Sequence, residues 1–189
     1  GLLSWMPAQQ RNGAFRVLWV GDPEGLPLQG WRLGPGLAYG TSRNGPPDAT
    51  TLWPGSSDGA TELIADAVNL ARTRRTTTLG HLLAPMAIRY VVVPGGGAPG
   101  TAAPPVADAF GAQVDLRELQ GDAALVVYEN AAWAPARARM NQAATEASRG
   151  AGLGSARNAE LAGSQQVLTE VRSPFRMTGP LDDGDQVLL

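Results

Sequence analysis

The amino-acid sequence predicts an α/β domain, with a small mixed sheet flanked by helices, followed by a β-rich tail. Residues 88–93, IRYVVV, are β-branched and aromatic without polar alternation, which is typical of a strand covered on both faces. Residues 60–74 carry apolar side chains at helical spacing. A second helix-like segment, 79–86, leads directly into the strand, and a helix that feeds a buried strand is half of an α/β unit.

The remaining elements are predicted to surround residues 88–93 as the central strand. Further strands are expected at residues 15–20, 114–119 and 124–129, and short helices at 78–84 and 105–111. Residues 21–58 are crowded with Gly, Pro, Asn and Asp, so we expect an irregular packed loop region there, with one short strand at 37–40.

Composition divides the chain into three parts. Residues 1–140 hold the predicted α/β domain, and 141–165 are rich in Gly, Ala and Ser, which indicates a linker. Residues 166–189 return to strand-like sequence and are interpreted as the start of a truncated second unit. Because the chain opens without Met and ends on apolar residues, we expect it to be a piece of a larger protein.

Composition and charge exclude several classes of function. The chain has 189 residues, 43% hydrophobic and 17% charged, so it is predicted to be globular. Its formal net charge of −2 argues against a nucleic-acid-binding protein. There is no cysteine, which excludes disulfides and thiolate metal sites. No apolar run is long enough to span a membrane, and the N-terminal residues lack the basic region of a signal peptide.

A glycine motif after the central strand provides the enzymatic alternative. Gly95, Gly97 and Gly100 match G-x-G-x-x-G, and Asp115 stands roughly where a ribose-binding acid belongs. The motif needs a helix N-terminus at its third glycine to hold phosphates, but Gly100 is followed by TAAPP. A surface loop therefore explains the glycines better, and nucleotide binding is kept as the alternative.

Three other patterns are explained better by ordinary structure. Residues 55–59 match G-x-S-x-G, but Pro54 spoils the strand that a nucleophile elbow requires. His81 is the sole histidine and has no carboxylate cluster spaced to form a metal site with it. Residues 182–185, DDGD, lack the other ligands of a calcium loop and predict a turn. We therefore expect neither a metal nor a cofactor.

Tryptophans are the candidate binding residues. Of the five, Trp19 falls in a predicted strand and is expected in the core. Trp31, Trp53 and Trp133 fall in predicted loops, where an indole can stack on a sugar ring. Because loop tryptophans more often fill the core of a small domain, these three remain candidates for substrate binding and no more. No catalytic residue is predicted.

Three phrases in a fixed order resemble a known family. They are FRVLWVGDP at 15–23, LGHLLAPMAIRYVVVP at 79–94, and AQVDLRELQGDAALVVYENAAWAPARA at 112–138. Together they resemble the extracytoplasmic domain of large actinobacterial polytopic membrane proteins that are labelled family 2 glycosyltransferases. More distantly, they are similar to the YfhO-type membrane glycosyltransferases. The resemblance covers most of residues 15–140 and rests on the order and spacing of the phrases.

The resemblance implies a location and a role. The domain would lie on the extracytoplasmic face of the plasma membrane, tethered by transmembrane helices elsewhere in the polypeptide. Catalysis would lie in another part of that protein, so we expect a non-catalytic module acting in cell-envelope glycan or glycolipid assembly. It would bind acceptor glycan, glycolipid or a partner, including the transmembrane remainder. A nucleotide-binding domain using Gly95–Gly100 stays open, as does a scaffold domain with Trp31, Trp53 and Trp133 all buried.

Overall fold

The computed structural model describes residues 2–49, 52, 59–95, 105–121, 124–135, 139–140 and 186–187. In this part of the chain a six-stranded mixed sheet carries flanking helices, so the predicted fold class is confirmed. The strands of the sheet are β1 (Arg16–Gly21), β2 (Trp31–Gly34), β3 (Leu37–Arg43), β4 (Ile88–Pro94), β5 (Leu116–Gly121) and β6 (Leu125–Asn130). The helices are α1 (Gly59–Arg72), α2 (Leu79–Leu83) and α3 (Pro105–Gly111), with 3-10 helices at Met6–Asn12 and Ala84–Met86.

Strand β4 is central, as predicted. The sheet order is β2-β3-β1-β4-β6-β5, so β1 lies on one side of β4, and β6 followed by β5 lies on the other. Strand β4 is parallel to β1 and antiparallel to β6, and the other neighbouring strands are antiparallel. The residues from Ile88 to Val93 are all buried, which explains why this segment is apolar without alternation.

The two faces of the sheet bury different parts of the chain. On one face, α1, α2 and α3 pack over side chains that include Val91 and Val93. On the other face, the N-terminal segment contributes Leu3 and Met6, which pack with Val92. The cover on the second face was not predicted. The 3-10 helix of this N-terminal segment, Met6–Asn12, has no apolar periodicity that a sequence pattern could detect. Its position is set by the burial of Met6 in the core.

The prediction of an irregular region at residues 21–58 is wrong for residues 31–34, which form β2, whereas the short strand predicted at 37–40 lies within β3. Strands β2 and β3 form an antiparallel hairpin, and β3 continues the sheet by pairing along the whole of β1. Gly36 has a φ of 63°, a left-handed conformation that glycine adopts without steric cost, and Pro35 before it fits the same turn. The Pro-Gly turn therefore joins two strands instead of ending regular structure.

A β-bulge lies at the start of β4. Arg16 pairs with Ile88 and Val17 pairs with Tyr90, so Arg89 is the extra residue between two successive pairs of the ladder. A bulge bends the strand and redirects a side chain. Here Arg89 lies beside Phe15 and Tyr90, on the face of the sheet that the N-terminal segment covers. This local irregularity accompanies the contacts of Arg89 with Phe15 and Tyr90.

The proposed linker and tail fall almost entirely outside the described residues. The strands predicted near 166–171 and 174–178 and the turn at 182–185 are among the residues that are not described. Residues Gln186–Val187 form a short strand, β8, that pairs antiparallel with β7 (Arg139–Met140).

No helix in the described part of the chain is long and apolar enough to cross a membrane.

Candidate functional site

One cluster of charged and aromatic side chains on the sheet is built around Arg89. We define the Arg89 cluster as Phe15, Arg89, Tyr90, Glu129 and Trp133. Arg89 is 8% exposed, although it belongs to an otherwise apolar strand. A buried guanidinium is costly unless its charge and its N–H groups are matched by neighbours, so its contacts explain the local structure.

Aromatic rings surround the guanidinium of Arg89. Its Cζ atom lies 4.5 Å from the ring centroid of Trp133, 5.2 Å from that of Tyr90 and 5.6 Å from that of Phe15. The electron-rich faces of aromatic rings attract a cation at these distances, and the attraction strengthens when water is removed. Burial raises the pKa of Tyr90 despite the opposing effect of Arg89.

Polar groups complete the surroundings of Arg89. Its Nη1 donates to the carbonyl of Gln9 at 3.2 Å, and its Nη2 donates to Oε1 of the same residue at 3.3 Å. Its Nη2 also lies 3.7 Å from Oε1 of Glu129, whose Oε2 accepts a hydrogen bond from Nη2 of Arg117. Two arginines therefore share one carboxylate across β4, β6 and β5.

Trp133 forms the border between this cluster and solvent. It follows β6 in a turn where its backbone N–H donates to the carbonyl of Asn130 at 3.2 Å. The residue is half-buried, with its ring held against Arg89. Its indole Nε1 is buried and has no partner among the described residues. Trp133 is therefore held against Arg89 while the residue keeps part of its surface exposed.

A second polar cluster joins α2 to the sheet. The backbone N–H of His81 donates to Oδ2 of Asp115 at 2.8 Å, and Nδ1 of His81 lies 2.7 Å from the same oxygen. Oε1 of Gln113 accepts the backbone N–H of Leu79 at 3.1 Å. The N-terminal N–H groups of a helix need acceptors, and here the residues preceding β5 supply them. Thr78, at the usual capping position, makes no such bond.

The His81–Asp115 pair has the form of a histidine oriented by a carboxylate. In catalytic triads such a carboxylate fixes the imidazole so that its other nitrogen accepts a proton. Here the same Asp115 oxygen also caps α2, and Asn130 beside it donates from Nδ2 to the carbonyls of Gly80 and Ile88, both at 2.9 Å. The geometry is that of a structural junction between α2, β4 and β6.

The structure argues against Asp115 as a ribose-binding acid. Asp115 precedes β5, whose first residue, Leu116, pairs with Asn130 next to the beginning of β4. The glycine motif begins at Gly95, beyond the other end of β4, and the seven residues of this strand separate its two ends by about 20 Å. Asp115 is also 5% exposed and bonded to His81. Gly95 donates its N–H to the carbonyl of Ala124, and Gly97 and Gly100 are outside the described residues.

The three candidate tryptophans fare differently. Trp31 is at the start of β2 and not in a loop, half-buried against the Tyr39 ring with 5.6 Å between ring centroids. Trp53 lies outside the described residues, as does the G-x-S-x-G motif apart from Gly59. Trp133 follows β6, as predicted, and meets Arg89. The burial of all three that a scaffold requires is not met by Trp31 and Trp133, since both keep exposed surface.

No sequence pattern singled out Arg89 or Glu129 of the Arg89 cluster, or Arg117, which contacts Glu129. One signal was present, because Arg89 is a charged residue inside an apolar run, and such a charge is seldom buried without a partner. Nothing in the sequence identified Glu129 as that partner, since the pairing depends on the register between β4 and β6.

The fold and the Arg89 cluster define a class of protein. It is an α/β domain with a mixed six-stranded sheet, and the Arg89 cluster lies on the face that the N-terminal segment covers. No group of three or more potential metal-ligating side chains was found among the described residues. Comparison with known proteins identifies the domain no further, because no family model, curated protein or solved structure matches the chain.

Proposed function

We propose that this chain is a non-catalytic extracytoplasmic module of a polytopic membrane glycosyltransferase, acting in cell-envelope glycan or glycolipid assembly. Its role is to bind and position acceptor glycan at the Arg89 cluster. The observation that supports this role is the half-buried ring of Trp133, held 4.5 Å from the guanidinium of Arg89 beside a shared carboxylate.

This arrangement suits the chemistry of a sugar. A pyranose ring has an apolar C–H face that packs on an indole, and hydroxyl groups around its rim that need donors and acceptors. Arg117 and Glu129 provide charged groups of both kinds, and hydrogen bonds to charged groups are stronger than those between neutral groups. The fixed position of Trp133 reduces the conformational entropy that binding would otherwise cost.

The carboxylates of the two clusters have structural partners, which favours binding over catalysis. Glu129 lies between Arg89 and Arg117, and Asp115 receives the backbone N–H of His81. A glycosidase needs two carboxyl groups on opposite sides of one sugar bond. These two belong to separate clusters, with Glu129 paired to arginines and Asp115 capping a helix.

A scaffold domain is the second candidate, and the contacts of Gln9 favour it. Both acceptors of Gln9 are bonded to Arg89, so the same cluster also fastens the N-terminal segment to β4. If fastening is its entire role, Trp133 and Arg117 have no ligand and the domain only shapes the extracytoplasmic part of its parent protein.

The test is an NMR titration of the full chain with arabinan, galactan and mannan oligosaccharides, with NAD and UDP-sugars as controls. We expect shifts of the Trp133 indole and Arg117 resonances with one glycan class, lost in Trp133→Ala and kept in the matched Trp31→Ala variant. Absence of any glycan response would favour the scaffold. Shifts near Gly95 with a nucleotide would restore the nucleotide-binding alternative.

A further inference from the structure

We propose that the glycan bound at the Arg89 cluster is anionic, carrying a carboxylate or phosphate group that Arg117 recognises. This inference rests on the proposed function and specifies its substrate class. It starts from the arrangement of four side chains: Trp133, Arg89, Glu129 and Arg117. Each contacts the next, so that they form a continuous row.

Strand register places the charged part of this row on one face of the sheet. Glu129 on β6 pairs with Tyr90 on β4 and with Arg117 on β5, and residues paired directly across strands point to the same side. Arg117 is therefore beside Glu129 on the face where Arg89 and Trp133 meet. An oligosaccharide that stacks on Trp133 and follows the row reaches Arg117 at its far end.

The row carries an excess of positive charge. Arg89 and Arg117 face a single carboxylate, Glu129, whereas the whole chain has a formal net charge of −2. Arg89 is enclosed, with 10% of its side chain exposed, and its charge is matched by rings and by Glu129. The charge that remains for a ligand therefore belongs to Arg117.

Arg117 is placed to use that charge. Its side chain is 71% exposed, and the contact with Glu129 uses Nη2. A guanidinium has five N–H donors in a planar fork, so one such contact leaves donors directed to solvent. That fork matches the two oxygens of a carboxylate or phosphate, which a neutral sugar does not offer. Glu129 meanwhile fixes the orientation of Arg117.

The test compares charged and neutral glycans of equal length. The full chain is titrated calorimetrically with a galacturonate oligosaccharide, a neutral galactan oligosaccharide of equal length, and the same galactan bearing one phosphate. At low salt we expect the charged ligands to bind about tenfold tighter than the neutral one, since a charged hydrogen bond replaces a neutral one. This preference should shrink as salt screens the exposed pair. Comparison of the galacturonate oligosaccharide with the phosphorylated galactan shows whether Arg117 prefers a carboxylate or a phosphate group.

Variants separate the inference from the proposed function. Arg117→Gln should abolish the preference for charged ligands, so that charged and neutral glycans bind with equal affinity, whereas the exposed control Arg32→Gln should leave the preference unchanged. Equal binding of charged and neutral glycans would overturn the inference and leave the proposed function standing. No binding of any of these glycans, nor of the arabinan and mannan oligosaccharides used to test the proposed function, would overturn both. Full competition by inorganic phosphate alone, with no dependence on Trp133→Ala, would also overturn the inference, because the site would then be an anion site and not a glycan site.

Discussion

The indole N–H groups of Trp19 and Trp133 differ in their hydrogen bonding. The indole Nε1 of Trp19 donates to Oγ of Ser42 at 2.8 Å, and the ring is in the core. The Nε1 of Trp133 is buried without a partner among the described residues. A buried donor that loses its acceptor costs about 1–3 kcal/mol, which the bond to Ser42 avoids for Trp19.

Ser42→Ala tests how much the hydrogen bond from the Trp19 indole contributes to the free energy of unfolding. The substitution leaves Nε1 of Trp19 without its acceptor inside the core, and we expect the free energy of unfolding to fall by about 1–3 kcal/mol. Urea denaturation followed by fluorescence measures the change. The exposed control Ser4→Ala should alter stability by less than about 0.5 kcal/mol. Equal effects of the two variants would contradict the prediction.

Tyr128 gives the domain a sensitivity to alkaline pH. Burial, with smaller contributions from Glu118 and Asp108, raises its pKa to about 12, and its hydroxyl donates to the carbonyl of Ala107 at 2.9 Å. The unfolded chain ionises this phenol near pH 10. Stability contributed by the neutral phenol is therefore complete below pH 10 and is lost as the pH rises towards 12.

The Tyr128→Phe variant reveals this dependence. At pH 8 we expect the wild type to be more stable by about 1 kcal/mol, the net value of a hydrogen bond. Above pH 10 the difference should narrow, because only the wild type gains from ionising this residue in the unfolded state. Urea titrations at pH 8, 10 and 11 provide the comparison. A difference that stays constant with pH would show that Tyr128 does not titrate in this way.

Among the elements, helix α2 depends most on side chains distant in sequence. It has five residues, too few to be stable by propensity alone, and its N-terminal N–H groups are bound by Gln113 and Asp115. Gly80 is buried in this helix, with no room for a side chain. A Cβ there would lie 2.3 Å from Oδ1 of Asn130 and 2.8 Å from Cγ of Asp115. The close approach of α2 to β5 and β6 thus requires glycine.

Gly80→Ala should destabilise the domain by about 1–3 kcal/mol. The added methyl forces α2 away from its capping residues, and this overpacking outweighs the gain of alanine's better helix propensity. Chemical denaturation gives the magnitude, and exchange of the His81 amide reports the lost cap. The control is Gly25→Ala, whose Cβ would meet nothing closer than 3.6 Å. Retention of full stability by Gly80→Ala would show that α2 can shift without cost.

The elements also show what the sequence could and could not predict. Strands β1, β4, β5 and β6 and all three helices follow from apolar patterns within single segments. The short strand predicted at 37–40 is part of β3, but β2 was missed because the many Gly and Pro residues of 21–58 indicated irregular structure. Pro35 and Gly36 instead form the turn between β2 and β3. The contact between His81 and Asp115 spans 34 residues, so no local pattern could identify it.

At the scale of the whole molecule, the two cores occupy a continuous stretch of sequence. All the core residues that the structure describes lie between Leu3 and Ala134. Asn130 connects the two faces, since it bonds Gly80 and Ile88 while its carbonyl accepts from Trp133. The cluster that presents Trp133 and the cap of α2 are therefore mechanically joined through one residue.

A chain of residues 1–140 should fold by itself. Because the described cores end at Ala134, removing residues 141–189 should lower Tm by no more than about 4 °C, equivalent to about 1 kcal/mol at this size. Calorimetry of both chains, with a check that the transition stays cooperative, makes the measurement. A larger loss would mean that the tail contributes to the core, and the proposed boundary at 140 would be wrong.

The position of β6 between β4 and β5 has a consequence for the nascent chain. When β4 has left the ribosome, it can pair with β1, but its other edge stays open until Leu125–Asn130 is synthesised. At about 5–20 residues per second this interval lasts a few seconds. During it, Val91, Val92 and Val93 present an apolar unpaired edge of the kind that chaperones shield and aggregates exploit. Slowed translation between residues 94 and 130 is therefore expected to lower the yield of folded protein.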